Sequence, residues 1–345
     1  MKTDNSNPEF HRTGLDRRTF LSQAVSLAVG ASVLPLAAFA APELPAVDPW
    51  QYAAALKQRI RAPEFPDRDF PVTDYGAMGD GSTDCTEAIN NAIRACSEAG
   101  GGRVVVPDGI YRTGAVHLLS NVNLHVSDGA TLSFYTDPAR YLPAVFTRFE
   151  GTELMNYSPL VYAYGQENIA ITGGGLLDGG ASEENWWLWK EGHYGNPKAN
   201  PWKERLTAMG DAGIPPKQRM FGTEGHLRPS FVQPYKCRNV LIEGIRVRRA
   251  PFWQVHPVLC TNLVIRGIDV ESPGPNNDGC NPESCQSVLI ENCRFDTGDD
   301  CIAIKSGRNT DGRRVNIPSE DIIVSNCEMK AGHGGVVIGS EMSGG

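Results

Sequence analysis

Four absences narrow what this 345-residue chain can be. None of its nine cysteines forms a C-x-x-C pair, which argues against a zinc ribbon or a thioredoxin-like motif. No G-x-S-x-G occurs, so a serine nucleophile system is unsupported. There is no excess of basic residues: the net charge is −8 and the pI about 5.4, unlike a nucleic-acid footprint. There is also no long uninterrupted apolar run. The most apolar stretch, ending at Ala41, is broken by Ser22, Gln23, Ser26, Ser32 and Pro35 and makes a poor transmembrane helix.

What is present points to a turn-rich fold. Thirty-seven glycines and 24 prolines argue against a helical bundle, while 41% hydrophobic content suffices for one large or two ordinary domains. Arg17-Arg18 precede the mild apolar run, which ends in Ala38-Phe39-Ala40. That pattern predicts a twin-arginine export signal over residues 1–41, cleaved near Ala40, and a periplasmic or secreted protein with no stable membrane association afterwards. Residues 42–66 read as a Pro-containing linker with a short helix around Gln51–Arg61. Asp84 with Glu87 starts a helix whose Ala88, Ile89, Ala92, Ile93 and Cys96 form one apolar stripe. It is expected to cap one end of a stack of sheets.

From Arg103 onward short alternating runs recur, each opened by a polar residue. They begin at Asn121, Asn168, Asn239, Asn262, Ser287 and Asp321, the last four 23, 25 and 34 residues apart. Units of this length without helices between them predict an all-β solenoid, a right-handed single-stranded parallel β-helix over residues 67–345. A β-propeller is the second choice. Residues 178–232 interrupt the repeat and carry Trp186, Trp187, Trp189, His193, Tyr194 and Trp202. Such aromatics either stack on sugar rings or pack the insertion onto the scaffold. Cys293 and Cys327 read as core residues, and Cys280–Cys285 as the disulfide to expect where oxidation is permitted.

The chemistry gathers between Asn276 and His333. Asn276-Asn277-Asp278-Gly279, Gly298-Asp299-Asp300 and Gly332-His333-Gly334 follow one another within this span. Glu291–Asp300 aligns with Ser325–Gly334: Asn292 with Asn326, Cys293 with Cys327, Gly298 with Gly332. Asp299 then falls opposite His333, on coils about 4.8 Å apart. A corner at Gly298 is needed to bring Asp299 and Asp300 into one site, and Asp278 sits one coil earlier in a different register. Clustered aspartates also suggest calcium, for which a histidine is a poor ligand.

This ordered set resembles the polygalacturonases, glycoside hydrolase family 28. The resemblance covers about residue 70 to the end, including Gly79-Asp80-Gly81-Ser82-Thr83-Asp84 and Gly339-Ser340, with Asn277 where Thr or Pro is usual. Asn281–Cys285, Lys305–Asn309 and Gly339–Gly345 look most like bacterial exo-acting members. The resemblance implies a pectin-lyase-like β-helix that hydrolyses α-1,4-galacturonosidic bonds of pectin or oligogalacturonides with inversion. Asp299 would be the general acid, Asp278 and Asp300 would activate water, and His333 would support the acid or hold substrate. Asn276, Lys305, Trp253 and His256 would contact substrate, although Trp253 and His256 equally suit packing. No metal or other cofactor is implied, no nucleic-acid partner, and a monomer is expected.

The family's Arg-x-Lys motif, which grips the substrate carboxylate downstream of G-H-G, does not occur before Gly345. The expectation is a C-terminally truncated chain with little pectinolytic activity by itself, an idea that full activity of the 345 residues would sink. The alternatives are a pectate lyase, a non-catalytic glycan-binding β-helix, and a hydrolase of rhamnogalacturonan or xylogalacturonan.

Overall fold

The computed structural model describes residues 48–345 apart from Tyr194, Asn196 and Lys198. The export signal expected over 1–41 lies outside the described residues. Within 48–345 the chain coils through three parallel walls. One is an eight-stranded sheet from Asp69–Pro71 to Glu320–Ser325, and a second eight-stranded sheet runs from Asp80–Asp84 to Glu328–Ala331. The third starts with Val116–His117, Val161–Tyr164 and Val232–Tyr235. It continues as single bridges through Val255, Cys280 and Ile302 to Val336–Ile338. Every pairing within the walls is parallel, which excludes the propeller and establishes the parallel β-helix.

The polar residue that opens each repeat has a backbone task. Asn121, Asn168, Asn239, Asn262, Ser287 and Asp321 all have φ between 52° and 64°. This left-handed conformation costs most residues about 1–2 kcal/mol, and a short polar side chain tolerates it best. The asparagines stack, each amide donating to the one on the coil before: Asn168 to Asn121 (3.0 Å), Asn239 to Asn168 (2.8 Å), Asn262 to Asn239 (2.8 Å). Asn239→Ala breaks two rungs and the turn preference together. It should lower stability by about 2 kcal/mol, read from urea unfolding.

Inside the walls, Val240, Leu263, Val288, Val247, Val270 and Phe295 are buried in one continuous core. All nine cysteines are free. The disulfide expected between Cys280 and Cys285 is not formed: the chain turns a corner between them, and the Cys285 thiol donates to the carbonyls of Pro257 (3.3 Å) and Glu283 (3.4 Å). Cys237, Cys260 and Cys285 instead hold equivalent places on successive coils, just ahead of paired strands.

Helix α1 (Pro49–Arg59) falls within the span read as a linker, yet it is docked. Leu56 and Ile60 pack on Ala170, Leu241, Val264 and Leu289 of the first wall. Helix α2 (Thr86–Glu98) buries the predicted stripe Ala88, Ile89, Ala92, Ile93 and Cys96 against the first coils. In the insertion, Trp186 is 1% exposed and meets Tyr141 and Trp189 edge-on, while Trp187 Nε1 donates to Ala250 O at 2.9 Å. Packing explains these two tryptophans. The insertion's helix α3 (Pro201–Asp211) matters more, because it brings Lys203 to the cleft described below.

Candidate active site

The third wall sets the site. Its pairing of Cys280 with Ile302 and of Ile302 with Val336 puts Asp278, Asp300 and Gly334 in one column, two residues ahead of each pair. Asp278 therefore stacks on Asp300, not on Asp299. Asp299 lies opposite His333 as expected: His333 N donates to Asp299 O at 3.0 Å, and His333 Nδ1 is 3.2 Å from Asp299 Oδ1. The corner depends on Gly298, where a Cβ would overlap the carbonyls of Pro273 and Gly274 on the coil before. Gly332 (φ 155°) is also too tight for a side chain, since its Cβ would come within 2.7 Å of Asp299 O.

Carboxylate oxygens of Asp278, Asp299 and Asp300 lie within 4.8 Å of one another in an open cleft. Asp278 is the most enclosed, at 3% exposure. Burial pushes its carboxyl up to about 7, with Asp299 and Asp300 adding to the rise, while Lys305 and the Asn281 amide (2.8 Å) oppose it. Asp300 is also raised, by burial and then by Asp299. Around Asp299 are Asn276, whose amide reaches Oδ2 at 3.4 Å, and the Asp300 amide, which donates to Oδ1 at 3.0 Å. Arg228 in turn donates to Asn276 Oδ1 at 2.8 Å.

Of the side chains expected to contact substrate, Asn276, Trp253 and Lys305 line the cleft. His256 does not. It is fully buried, with Nε2 2.8 Å from Glu283 Oε2 and Nδ1 within 3.0 Å of Ser230 and Gln233. As a substrate contact it is corrected: it lies beneath the floor, edge-on to Trp253. Its partner Glu283 also binds the buried Arg148 at 3.1 Å. Burial alone would raise the Glu283 carboxyl, but Arg148 and His256 outweigh it and pull it down to about 2.

Sequence reasoning missed several lining residues. Glu150 sits between the strands Val145–Phe149 and Thr152–Asn156 of an antiparallel hairpin, held by Lys203 (2.6 Å) and Arg308 (2.6 Å). Its only local signal is the following Gly151. Helix α4 spans Asn309–Val315. Its Asp311 is 2% exposed and receives Arg219 Nη1 at 2.9 Å and Arg314 Nε at 3.0 Å. Glu341 binds Lys305 at 2.8 Å; it lies in the Gly339–Gly345 stretch, to which the resemblance attached no residue role.

Comparison with known proteins agrees with this geometry. A model described as glycosyl hydrolases family 28 matches residues 217–345, and one described as rhamnogalacturonase A/epimerase, pectate lyase-like, matches residues 70–126. The crystal structure of a hyperthermoactive exopolygalacturonase from Thermotoga maritima is 51% identical with a TM-score of 0.82, covering 86% of this chain and 68% of that one. The chain belongs to glycosyl hydrolase family 28. Among other relatives, a probable polygalacturonase of Vitis vinifera is 29% identical, covering 79% of this chain and 52% of its own length. The exo-poly-alpha-D-galacturonosidase of Dickeya chrysanthemi is 28% identical, covering 79% and 48%. The family 28 chain thus spans about half the length of the curated relatives it matches.

Proposed function

We propose that this family 28 chain is the catalytic β-helix of an exo-acting polygalacturonase, hydrolysing α-1,4-galacturonosidic bonds of pectin or oligogalacturonides by inverting acid/base chemistry. One observation carries the proposal: three carboxylates and a histidine from successive coils meet in a single cleft. Asp299, with His333 and Asn276 on its two oxygens, is the general acid that protonates the leaving oxygen. Asp278 and Asp300 hold the attacking water. The ~6.5–9.5 Å of a two-carboxylate inverting site separates acid from base, whereas here the nearest oxygens of Asp299 and of Asp278 and Asp300 lie within 4.8 Å. Oxygens up to 4.8 Å apart still accommodate one shared water, because hydrogen bonds of about 2.8 Å to both close at a near-tetrahedral angle. Trp253, 3% exposed and stacked on Phe252, backs the cleft from beneath Lys305.

The Lys203–Glu150–Arg308 group supports chain-end attack, because it walls part of the cleft with charged side chains from the hairpin, the insertion and the residue that precedes α4. An exo enzyme releases reducing ends with little fall in viscosity; a rapid fall with few ends would contradict that assignment. A lyase would create an ultraviolet-absorbing double bond. We expect no such absorbance and no loss of rate with a chelator, and a chelator-sensitive absorbing product would point to elimination.

For location we propose twin-arginine export of a folded monomer. Eight buried thiols and one half-buried suit a chain that folds in a reducing compartment before it meets an oxidising one. A fusion of residues 1–41 to a reporter should require the intact Arg17-Arg18 pair, and export that survives Arg17→Lys/Arg18→Lys argues against this route.

A further inference from the structure

A base must be ionised to take a proton from water, yet the burial of Asp278 favours its neutral form. Something must oppose that burial. On its own coil Asp278 meets only the neutral amide of Asn281 (2.8 Å). The next coil presents Asp299 and Asp300, both anionic when ionised, and Lys305, whose Nζ is 3.7 Å from Asp278 Oδ2. The coil before presents Trp253, with Lys305 Nζ 4.6 Å from its ring centroid, and the buried Glu283–His256–Arg148 group lies below. Among the described residues the ion pairs of the acidic trio are Lys305–Asp278 and His333–Asp299.

Lys305 is 4% exposed, unlike a lysine that reaches into solvent for substrate. Its ammonium is fixed from the far side, donating to Glu341 Oε2 at 2.8 Å and to Gly339 O at 3.2 Å. Glu341, itself 7% exposed, therefore shares this one cation with Asp278.

We propose that Lys305 is a positioning residue, a buried cation clasped by Glu341 that keeps Asp278 ionised for its work on the attacking water. This rests on the assignment of Asp278 as base. Lys305 has a task other than gripping the sugar carboxylate, and Glu341 sets how much of its charge Asp278 receives. An opposite charge within ~4–6 Å moves a carboxyl by about 1–3 pH units.

The signs follow. Lys305→Met removes the cation and moves the Asp278 titration to higher pH. Glu341→Gln leaves the cation to Asp278 alone and moves it to lower pH. The double variant falls between the parent and Lys305→Met. Lys305→Arg keeps the charge and the parent titration. Carboxyl 13C NMR on the unliganded enzyme reads the titration, and kcat/KM against pH reads its consequence. We expect shifts of about one pH unit or more in this order, with the acid limb of kcat/KM following. Glu341→Gln and Lys305→Arg both keep a cation beside Asp278, so they decide the question if the variants that lack the lysine do not fold. An unmoved Asp278 titration overturns the role of Lys305 and leaves the base assignment standing. A titration that moves while the alkaline limb follows it instead overturns the base assignment, because Asp278 would then work in its protonated form.

Discussion

Asp299→Asn is expected to lower kcat on polygalacturonate by about 10³-fold, with bound oligogalacturonide retained. The amide keeps the size of the side chain and its contact with Asn276, but it has no acidic proton to give to the leaving oxygen. General acid catalysis contributes roughly 10²–10⁴-fold, and a poor sugar leaving group puts this case in the upper part of that range. Asp299 is chosen because His333 Nδ1 stands 3.2 Å from one oxygen and Asn276 addresses the other, so its carboxyl is held on both sides. Isothermal titration with oligogalacturonide alongside initial rates checks the result. Lost binding with unchanged turnover of bound substrate would assign Asp299 to recognition. Retained turnover would remove the acid from the mechanism, and a glycan-binding β-helix without catalysis would show no turnover before the substitution either.

The second large effect lies under the floor. Glu283→Ala should cost about 3 kcal/mol of folding free energy, because it leaves the fully buried Arg148 with only its longer contact to Glu153 at 3.5 Å and His256 without its acceptor. Most of that cost is the poorly compensated charge. Removing both charges, as in Arg148→Met/Glu283→Leu, should therefore recover much of it. The pH dependence has a definite sign. The Glu283 carboxyl is pulled from an ordinary 4.5 down to about 2, so its contribution is present above the ordinary value and is lost as pH falls from there towards about 2. Urea unfolding at several pH values reads both effects. A single-variant loss below about 1 kcal/mol, or a double variant no better than the single, would mean that the group is wetter than its burial indicates.

Much of this was legible in the sequence, for identifiable reasons. The repeat showed because the left-handed corner admits few residues, so Asn, Ser or Asp marks each coil at a countable interval. Asp299 and His333 could be paired because two coils share the Asn-Cys and Gly positions that fix their register. The Asp278–Asp300 stack was hidden, since the third wall is built of single bridges and has no strand pattern of its own there. His256 and Glu283 were misjudged or passed over for the same cause: a polar residue on that wall reads as a cleft residue until burial shows that it faces the floor. Glu150 and Lys203 lie far from the motif in sequence and are brought to it by the hairpin and the insertion, which no periodicity announces.

The anomeric form of the first product tests the central claim most directly. Digestion of an oligogalacturonide followed by 1H NMR from the first minutes should show the β-anomer formed first at the new reducing end. The α-anomer should appear only as mutarotation proceeds, and no unsaturated sugar should form at any time. An α-anomer at the outset would mean a covalent intermediate on one of the three aspartates and would contradict the shared water between Asp278 and Asp300. An unsaturated product would remove hydrolysis altogether.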